Sequence, residues 1–368
     1  MGLTKYRIGD LISVVDERNA LGIREFYGIN INKEFMPTVA NTEGLDESKY
    51  KVVRKNRFVF SGMQTGRDVC IRISMYTQGN PIIVSPAYTT FEVTATDVII
   101  PMYFFMRFLS HEKDRLGWFY SDGSIRSNLD WDRFCDMELE LPDLPTQQKY
   151  VDIYNAMVTN QQSYERGLEN LKLVCDGYIE DLRRKMPCEK IGPYIERHDV
   201  RNGKNGTKNV MGISTSKQFR VPTSKVNVNE LANYKICHPR QIAFVQTTHN
   251  EKVFTYAFNN TDEDIVVSSV NEVFSTDESK LYPEYLCMFF NRTEFDRYAR
   301  FHSWGSARET FTWNDLIEVE IPIPEINVQK SISEVFTVYT QRKEINEKLK
   351  AHIRDICPIL IKGSLEEG

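Results

Sequence analysis

The sequence predicts an α+β chain built twice, each time as a mixed α/β globular domain followed by a long helix, with the two helices pairing as an antiparallel coiled coil. Three observations carry this expectation. Segments recur in the same order at a shift of 182 to 185 positions, close to half of the 368 residues. Within each half, short β-branched and aromatic runs broken by Gly, Pro and Asn alternate with amphipathic stretches. Each half also closes on a proline-bearing junction, "LELPDLPTQQKY" at 139–150 and "IPIPEINVQKSI" at 321–332, which opens into helical periodicity.

Internal repeats decide the architecture, so the correspondence is laid out first. "YRIGDLI" (6–12) lies over "EKIGPYI" (189–195), and "FYGININKEF" (26–35) over "VMGISTSKQF" (210–219). Pro37-Thr38 meets Pro222-Thr223, and "YKVVRKNRFVF" (50–60) meets "YKICHPRQIAF" (234–244). "VSPAYTTF" (84–91) lies over "VSSVNEVF" (267–274), and "PMYFFMRF" (101–108) over "PEYLCMFF" (283–290). The longest match, "DGSIRSNLDWDRF" (122–134) with "WGSARETFTWNDL" (304–316), runs without a gap into the two junctions. Chance produces one such match easily, but not a series in one order. The strand-like runs are "YKVVRKNRFVFSG", "DVCIRISMY" and "PIIVSPAYTTFEVT". "PMYFFMRFLSHEKDRLG" and "LYPEYLCMFFNRTEFDRYARF" each read as one amphipathic helix.

After the first junction, apolar or semi-apolar positions run Tyr154, Val158, Gln161, Leu168, Leu171, Cys175, Tyr178 and Leu182. After the second they run Ile332, Val335, Phe336, Tyr339, Ile345, Leu349, Ile353, Ile356 and Leu360. Steps of three and four give a single stripe on a long helix, the pattern of a helix that pairs. Proline is tolerated in a first helical turn, which suits the junctions. Pro187 should end the first helix, and Pro358 crowds the end of the second. Mutual burial of the two stripes is the economical solution and would put the two globular parts at opposite ends. Periodicity alone also allows each helix to fold back on its own half. The expected domains are 1–144, a central helix 145–186, 187–326, and a C-terminal helix and tail 327–368.

Composition bounds the function classes. Forty-one per cent apolar and 12 % aromatic residues suit a globular chain, and no apolar run reaches the roughly 18 residues of a membrane span. The richest run, "VIIPMYFFMRFL", contains Pro101 and Arg107. The opening "MGLTKYRIGDLI" lacks the pattern of a secretion signal. Seven cysteines, scattered and without a C-x-x-C, point to reduced thiols and a cytoplasmic location. The formal net charge of -5 leaves nucleic-acid binding to local patches.

A search for catalysis returns little. Neither a glycine-rich phosphate loop nor a G-x-S-x-G elbow occurs, and the six histidines show no zinc spacing. "NPII" at Asn80 lacks the second proline and aromatic of an amino-methyltransferase loop and reads as a strand-edge turn. Pro142-Asp143 has the letters of a nuclease core, but Asp143 sits at a helix start, where an acid complements the dipole. No catalytic residue and no metal ligand is expected.

Basic and amide side chains cluster instead. Lys51, Arg54, Lys55, Arg57, Arg67 and Arg72 stand against Asp68 alone, with Ser61, Gln64 and Thr65 among them. The matching stretch carries Gln246, Thr247, Thr248, His249, Asn250 and Lys252. Such side chains fork onto base edges or bind phosphates. "RHDVRNGKNGTK" adds Arg201 and Lys204, and the two Gly-Ser-x-Arg matches add Arg126 and Arg308. The repeats agree in their framework and diverge after Phe60 and Phe244, where "SGMQTGRDVC" faces "VQTTHNEKVF". One scaffold with two different loops suits the reading of two different things. The DNA-binding candidates are Arg57, Ser61, Gln64, Thr65, Arg67, Arg72, Arg126, Arg201, Lys204, Gln246, Thr247, Thr248, His249, Asn250, Lys252 and Arg308. Candidates for helix pairing or partner binding are Tyr154, Val158, Leu168, Leu171, Tyr178, Leu182, Phe336, Tyr339, Ile345, Leu349, Ile353 and Ile356.

Taken together, "YKVVRKNRFVFSG", "VSPAYTTFEV", "GSIRSNLDW" to "LPDLPTQQKYV", and "GSARETFTW" to "IPIPEINVQKSI" resemble the specificity (S) subunit of type I restriction-modification systems over essentially the whole chain. In that family a proline-rich junction with a following glutamine opens each long helix, and Gln147 and Gln329 occupy that place. The resemblance departs where Thr146 and Val328 replace a glutamate and Asn327 replaces a common proline. It implies two target recognition domains, each reading half of an asymmetric bipartite sequence in double-stranded DNA. The helices would dock two methyltransferase (M) subunits, with restriction/translocase (R) subunits joining that core. S-adenosylmethionine, ATP and Mg²⁺ would belong to those partners, leaving this chain without cofactor or catalysis. A helical adaptor that organises protein partners without touching DNA is the alternative.

Overall fold

A computed structural model describes the chain except for Met1, Ala40, Lys204, Asn205, Ser224, Val228, Asn229 and residues 248–252 and 305–308. It divides into two compact units, residues 1–163 with 347–368, and residues 164–346. The duplication expected from the sequence is present in the strand order of each unit.

In the first unit a four-stranded antiparallel sheet is built from β1 (Ile12–Val14), β2 (Phe58–Ser61), β3 (Arg72–Met75) and β4 (Thr89–Val93), in the order β1-β4-β2-β3. Two helices, α1 (Pro101–Arg107) and α2 (His111–Tyr120), follow, and then the long helix α3 (Leu144–Lys185). The second unit repeats this with β5 (Ile195–His198), β6 (Ile242–Phe244), β7 (Tyr256–Phe258) and β8 (Glu272–Thr276), in the order β5-β8-β6-β7. There α4 (Pro283–Phe290), α5 (Thr293–Phe301) and the long helix α6 (Ile326–Glu367) complete the series. The first-unit sheet and helices enclose Phe58, Phe91, Phe104, Phe108 and Phe134, with the Phe58 and Phe91 rings stacked 5.0 Å apart. Phe244, Phe254, Phe290, Phe295 and Phe311 do the same in the second.

The amphipathic stretch expected as one helix in each half is two. Phe108–Ser110 separates α1 from α2, and Asn291–Arg292 separates α4 from α5. At the first break the Ser110 hydroxyl accepts from the Lys113 amide and caps the new helix. The physical reason is visible in burial: α4 is buried nearly all round, whereas α5 buries only Phe295 and Ala299. One straight helix could not serve both environments.

The junction prolines sit where strand gives way to helix. Glu138–Leu141 pairs antiparallel with Thr4–Arg7, and Glu320–Pro322 with Cys188–Lys190. Immediately beyond, Gln147 is fully buried. Its Nε2 donates to the Val98 and Pro142 carbonyls, both at 2.9 Å, and its Oε1 accepts from the Ile100 amide at 3.0 Å. Gln329 does the same with the Lys280 and Pro324 carbonyls at 2.7 Å and the Tyr282 amide at 2.9 Å. Each glutamine therefore ties the start of a long helix to the backbone that leads into α1 or α4.

Both long helices have 42 residues, about 63 Å at 1.5 Å per residue. Helix α3 packs against α6. In the first unit the Lys149 ammonium pairs with Glu367 at 2.7 Å, the Tyr150 hydroxyl donates to Glu367 at 3.0 Å, and Gly363 faces the Tyr150 ring. In the second, Leu168, Leu171 and Leu182 join one core with Ile332, Phe336 and Tyr339. Helix α6 does not stop near Pro358 but continues through it to Glu367. Cys357, Leu360 and Ile361 are buried in the first core on either side of the proline, and that packing outweighs one lost backbone hydrogen bond. Tyr154, Val158, Leu349, Ile353 and Ile356 are half-buried, whereas Tyr178 and Ile345 are exposed and Ile179 and Asn346, one residue further on, are buried.

Candidate nucleic-acid interface

In each unit the segment that diverges between the repeats is fixed at both ends by equivalent bonds. In the first unit it is the loop after β2. At its start, the Leu129 amide donates to the Gly62 carbonyl at 2.9 Å; in the second unit the Phe311 amide donates to the Gln246 carbonyl at 2.8 Å. At its end, Asp114 on α2 accepts from the Ile71 amide at 2.9 Å, and Asp296 on α5 accepts from the Phe254 amide at 3.0 Å.

Those two aspartates are themselves held by buried lysines. The Lys33 ammonium meets Asp114 at 2.6 Å, and Lys217 meets Asp296 at 2.8 Å. Both lysines occupy left-handed backbone at the tip of a hairpin, with φ of 64° and 63°. Lys33 also lies 3.8 Å from the Cys70 sulfur, while Lys217 donates to the Phe290 carbonyl at 2.7 Å. A buried ion pair of this kind fixes geometry more than it adds stability.

Within the first unit, two segments distant in sequence come together. The Gly66 amide donates to the Ser127 carbonyl at 2.8 Å, and the Gln64 amide to the Asn128 side chain at 3.1 Å. The approach demands glycine: a Cβ on Gly62 would lie 1.9 Å from the Leu129 oxygen, and one on Gly66 1.9 Å from Ser127 Oγ. The loop bearing Gln64 and Arg67 is thus zipped to the Gly-Ser-x-Arg loop bearing Arg126. The Gln64 Oε1 accepts from Arg67 at 3.1 Å, and Arg72 pairs with Asp68. Burial works against ionisation of Asp68, but the hydrogen bonds from Arg67 and Arg72 outweigh it and hold its carboxyl below the ordinary value.

The candidates fall into distinct situations. Arg67 and Arg126 are exposed, and among the described residues Arg126 has no ion pair. Gln64 and Arg72 are half-buried, and Ser61 and Thr65 are buried, with Thr65 Oγ1 donating to the Gly62 carbonyl. Arg57 is buried, donating to Glu17 and to the Val52 carbonyl and pairing with Glu92, so its guanidinium is committed to the sheet. Arg201 is exposed but pairs with Asp199. Gln246 donates to Glu272 at 2.7 Å, and Thr247 bridges Thr310. Lys204, Thr248, His249, Asn250, Lys252 and Arg308 lie outside the described residues. Sequence reasoning missed Asp114 and Asp296, although each falls at the same place in its repeat. Among the described residues no group of His, Cys, Asp and Glu could hold a metal ion, and no helix is long and apolar enough to cross a membrane.

The fold is similar to that of a solved type I restriction-modification system S subunit. That structure, from M. genitalium, matches at a TM-score of 0.61 and 10 % identity, over 99 % of this chain and 96 % of that one. The HsdS subunit from Thermoanaerobacter tengcongensis is also similar, at a TM-score of 0.36 and 12 % identity over 99 % and 96 %. Residues 188–355 match the family described as type I restriction modification DNA specificity domain. No curated protein matches it.

Proposed function

We propose that this chain is the DNA sequence-recognition subunit of a type I restriction-modification complex, each half reading one half of an asymmetric bipartite target. The observation that carries the reading is the pair of equivalently anchored loops. Their ends are held in both repeats by an equivalent backbone bond and an equivalent bond to an aspartate side chain, while the residues between them differ. A scaffold of this kind keeps recognition geometry constant and lets sequence preference vary. Gln64, Arg67 and Arg126 in the first unit and Thr247 with residues 248–252 in the second are the proposed contacts. The helices α3 and α6 would dock methyltransferase subunits, through which restriction subunits join. Those partners would bring S-adenosylmethionine, ATP and Mg²⁺, and the chain itself would do no catalysis in its cytoplasmic complex. Two half-sites read from one face of B-DNA are expected about one helical turn apart, centre to centre. The test exchanges residues 1–144 for the first domain of another family member and maps methylated adenines in cells carrying the M subunit. One half of the methylated motif should change. A change in both halves, or in neither, would refute the modular reading.

A further inference from the structure

Each unit has a cavity at the same place in its repeat, beside α2 or α5 and the strand that precedes the long helix. The second-unit cavity, about 630 Å³, is lined in part by Phe289 and Phe295. The first, about 870 Å³, has Arg107 and Lys113 at the two matching positions, 182 residues earlier. The fold is therefore made with phenylalanine at both places, and it does not require cations there.

Arg107 is 94 % buried, and its Nε and Nη1 have no hydrogen-bond partner among the described residues. Among the described residues no carboxylate forms an ion pair with it, whereas the second unit's buried Arg292 pairs with Glu180. Among the described residues Lys113 donates to the Glu138 carbonyl alone, at 3.4 Å. Burial, with repulsion from Arg107, brings the Lys113 pKa down to about 8. Glu140, on the same wall, is paired with Lys5. Glu112 and Glu140 offset these charges only through space, and a buried guanidinium with two unpaired nitrogens beside a second cation is the mark of a site waiting for an anion. Trp118 and Phe119, both exposed, complete the rim.

We infer that this cavity binds a phosphate-type oxyanion, held by Arg107 and Lys113. The proposal goes beyond DNA reading and does not depend on it. Arginine matches a phosphate with a planar fork of donors, and Lys113 adds a point charge. The phosphate could belong to a free phosphorylated small molecule or to a polynucleotide backbone, and the two sources are separable.

The experiment titrates the full-length chain with inorganic pyrophosphate by calorimetry and follows amine-directed labelling of Lys113 at pH 8 by mass spectrometry. Saturable binding and protection of Lys113 are expected. Arg107→Phe, which installs the residue of the other repeat, should fold, weaken pyrophosphate binding by about tenfold or more and abolish protection. Lys113→Gln is the second variant and should weaken binding without touching the core. Competition by a short DNA duplex, with a salt slope smaller by about one in Arg107→Phe, would assign the anion to a backbone phosphate. Binding without that competition would assign it to a free oxyanion. The inference is overturned if pyrophosphate neither binds nor protects Lys113, or if both variants bind as the parent does.

Discussion

Replacing Gln147 by alanine removes one side chain that satisfies three buried backbone groups at once. The Val98 and Pro142 carbonyls lose their donor, and the Ile100 amide loses its acceptor. Each group left unsatisfied costs about 1–3 kcal/mol, and the shortened side chain leaves a small void besides. Water entering that void could restore some of the bonds, so the net loss should be roughly 3–5 kcal/mol, a large share of a typical domain's stability. The assay is urea unfolding of the full-length chain, followed by hydrogen exchange at the Ile100 amide. Gln147→Ala should lower the midpoint of the first unit and leave the second unmoved; Gln329→Ala should do the reverse. Gln147→Glu keeps the acceptor for Ile100 but turns a carboxylate oxygen towards two carbonyls, so it should be no better than alanine. A loss below about 0.5 kcal/mol for Gln147→Ala, or a glutamate variant as stable as the parent, would refute the clamp.

Lys33→Met should destabilise the first unit by about 3–5 kcal/mol, because it strands the Asp114 carboxylate in a buried site. Adding Asp114→Leu should recover part of that in thermal unfolding, and no recovery would mean that the pair is not what Lys33 supports. Hydrogen bonding from Arg54, helped by Arg57 and opposed by burial, holds the Glu17 pKa down at about 2. A carboxyl depressed in the folded state stabilises above its unfolded value and loses that contribution as pH falls towards 2. Glu17→Gln should therefore flatten the acid limb of the stability profile between about pH 4.5 and 2. A parent and variant with parallel acid limbs would count against it.

Much of this architecture was open to a reader of the sequence because it was written twice. The strand-like runs, the helix starts and the paired glutamines recur at offsets of 182 to 185, and repetition separates signal from composition. What stayed hidden depends on partners far along the chain. Lys33 and Lys217 fall in register in the alignment, but the aspartates that give them meaning lie 81 and 79 residues away. The basic cluster around Arg57 looked like a free patch because Glu17 and Glu92, which neutralise it, lie outside that window. The breaks between α1 and α2 and between α4 and α5 escaped for a similar reason. Neither break carries a glycine or a proline, and the three-dimensional surroundings distinguish a fully enclosed helix from a half-enclosed one.

The first unit is finished by residues 347–368, whose Cys357, Leu360 and Ile361 lie in its core and whose Ser364 hydrogen-bonds Tyr103 at 2.7 Å. On the ribosome, therefore, the part of the chain that emerges first is the last to be completed. Residues 164–346 can close while the earlier unit still lacks one wall, for tens of seconds at ordinary elongation rates of about 5–20 residues per second. A frameshift or proteolytic clip within α6 would then damage the beginning of the molecule, far from where the lesion lies in sequence.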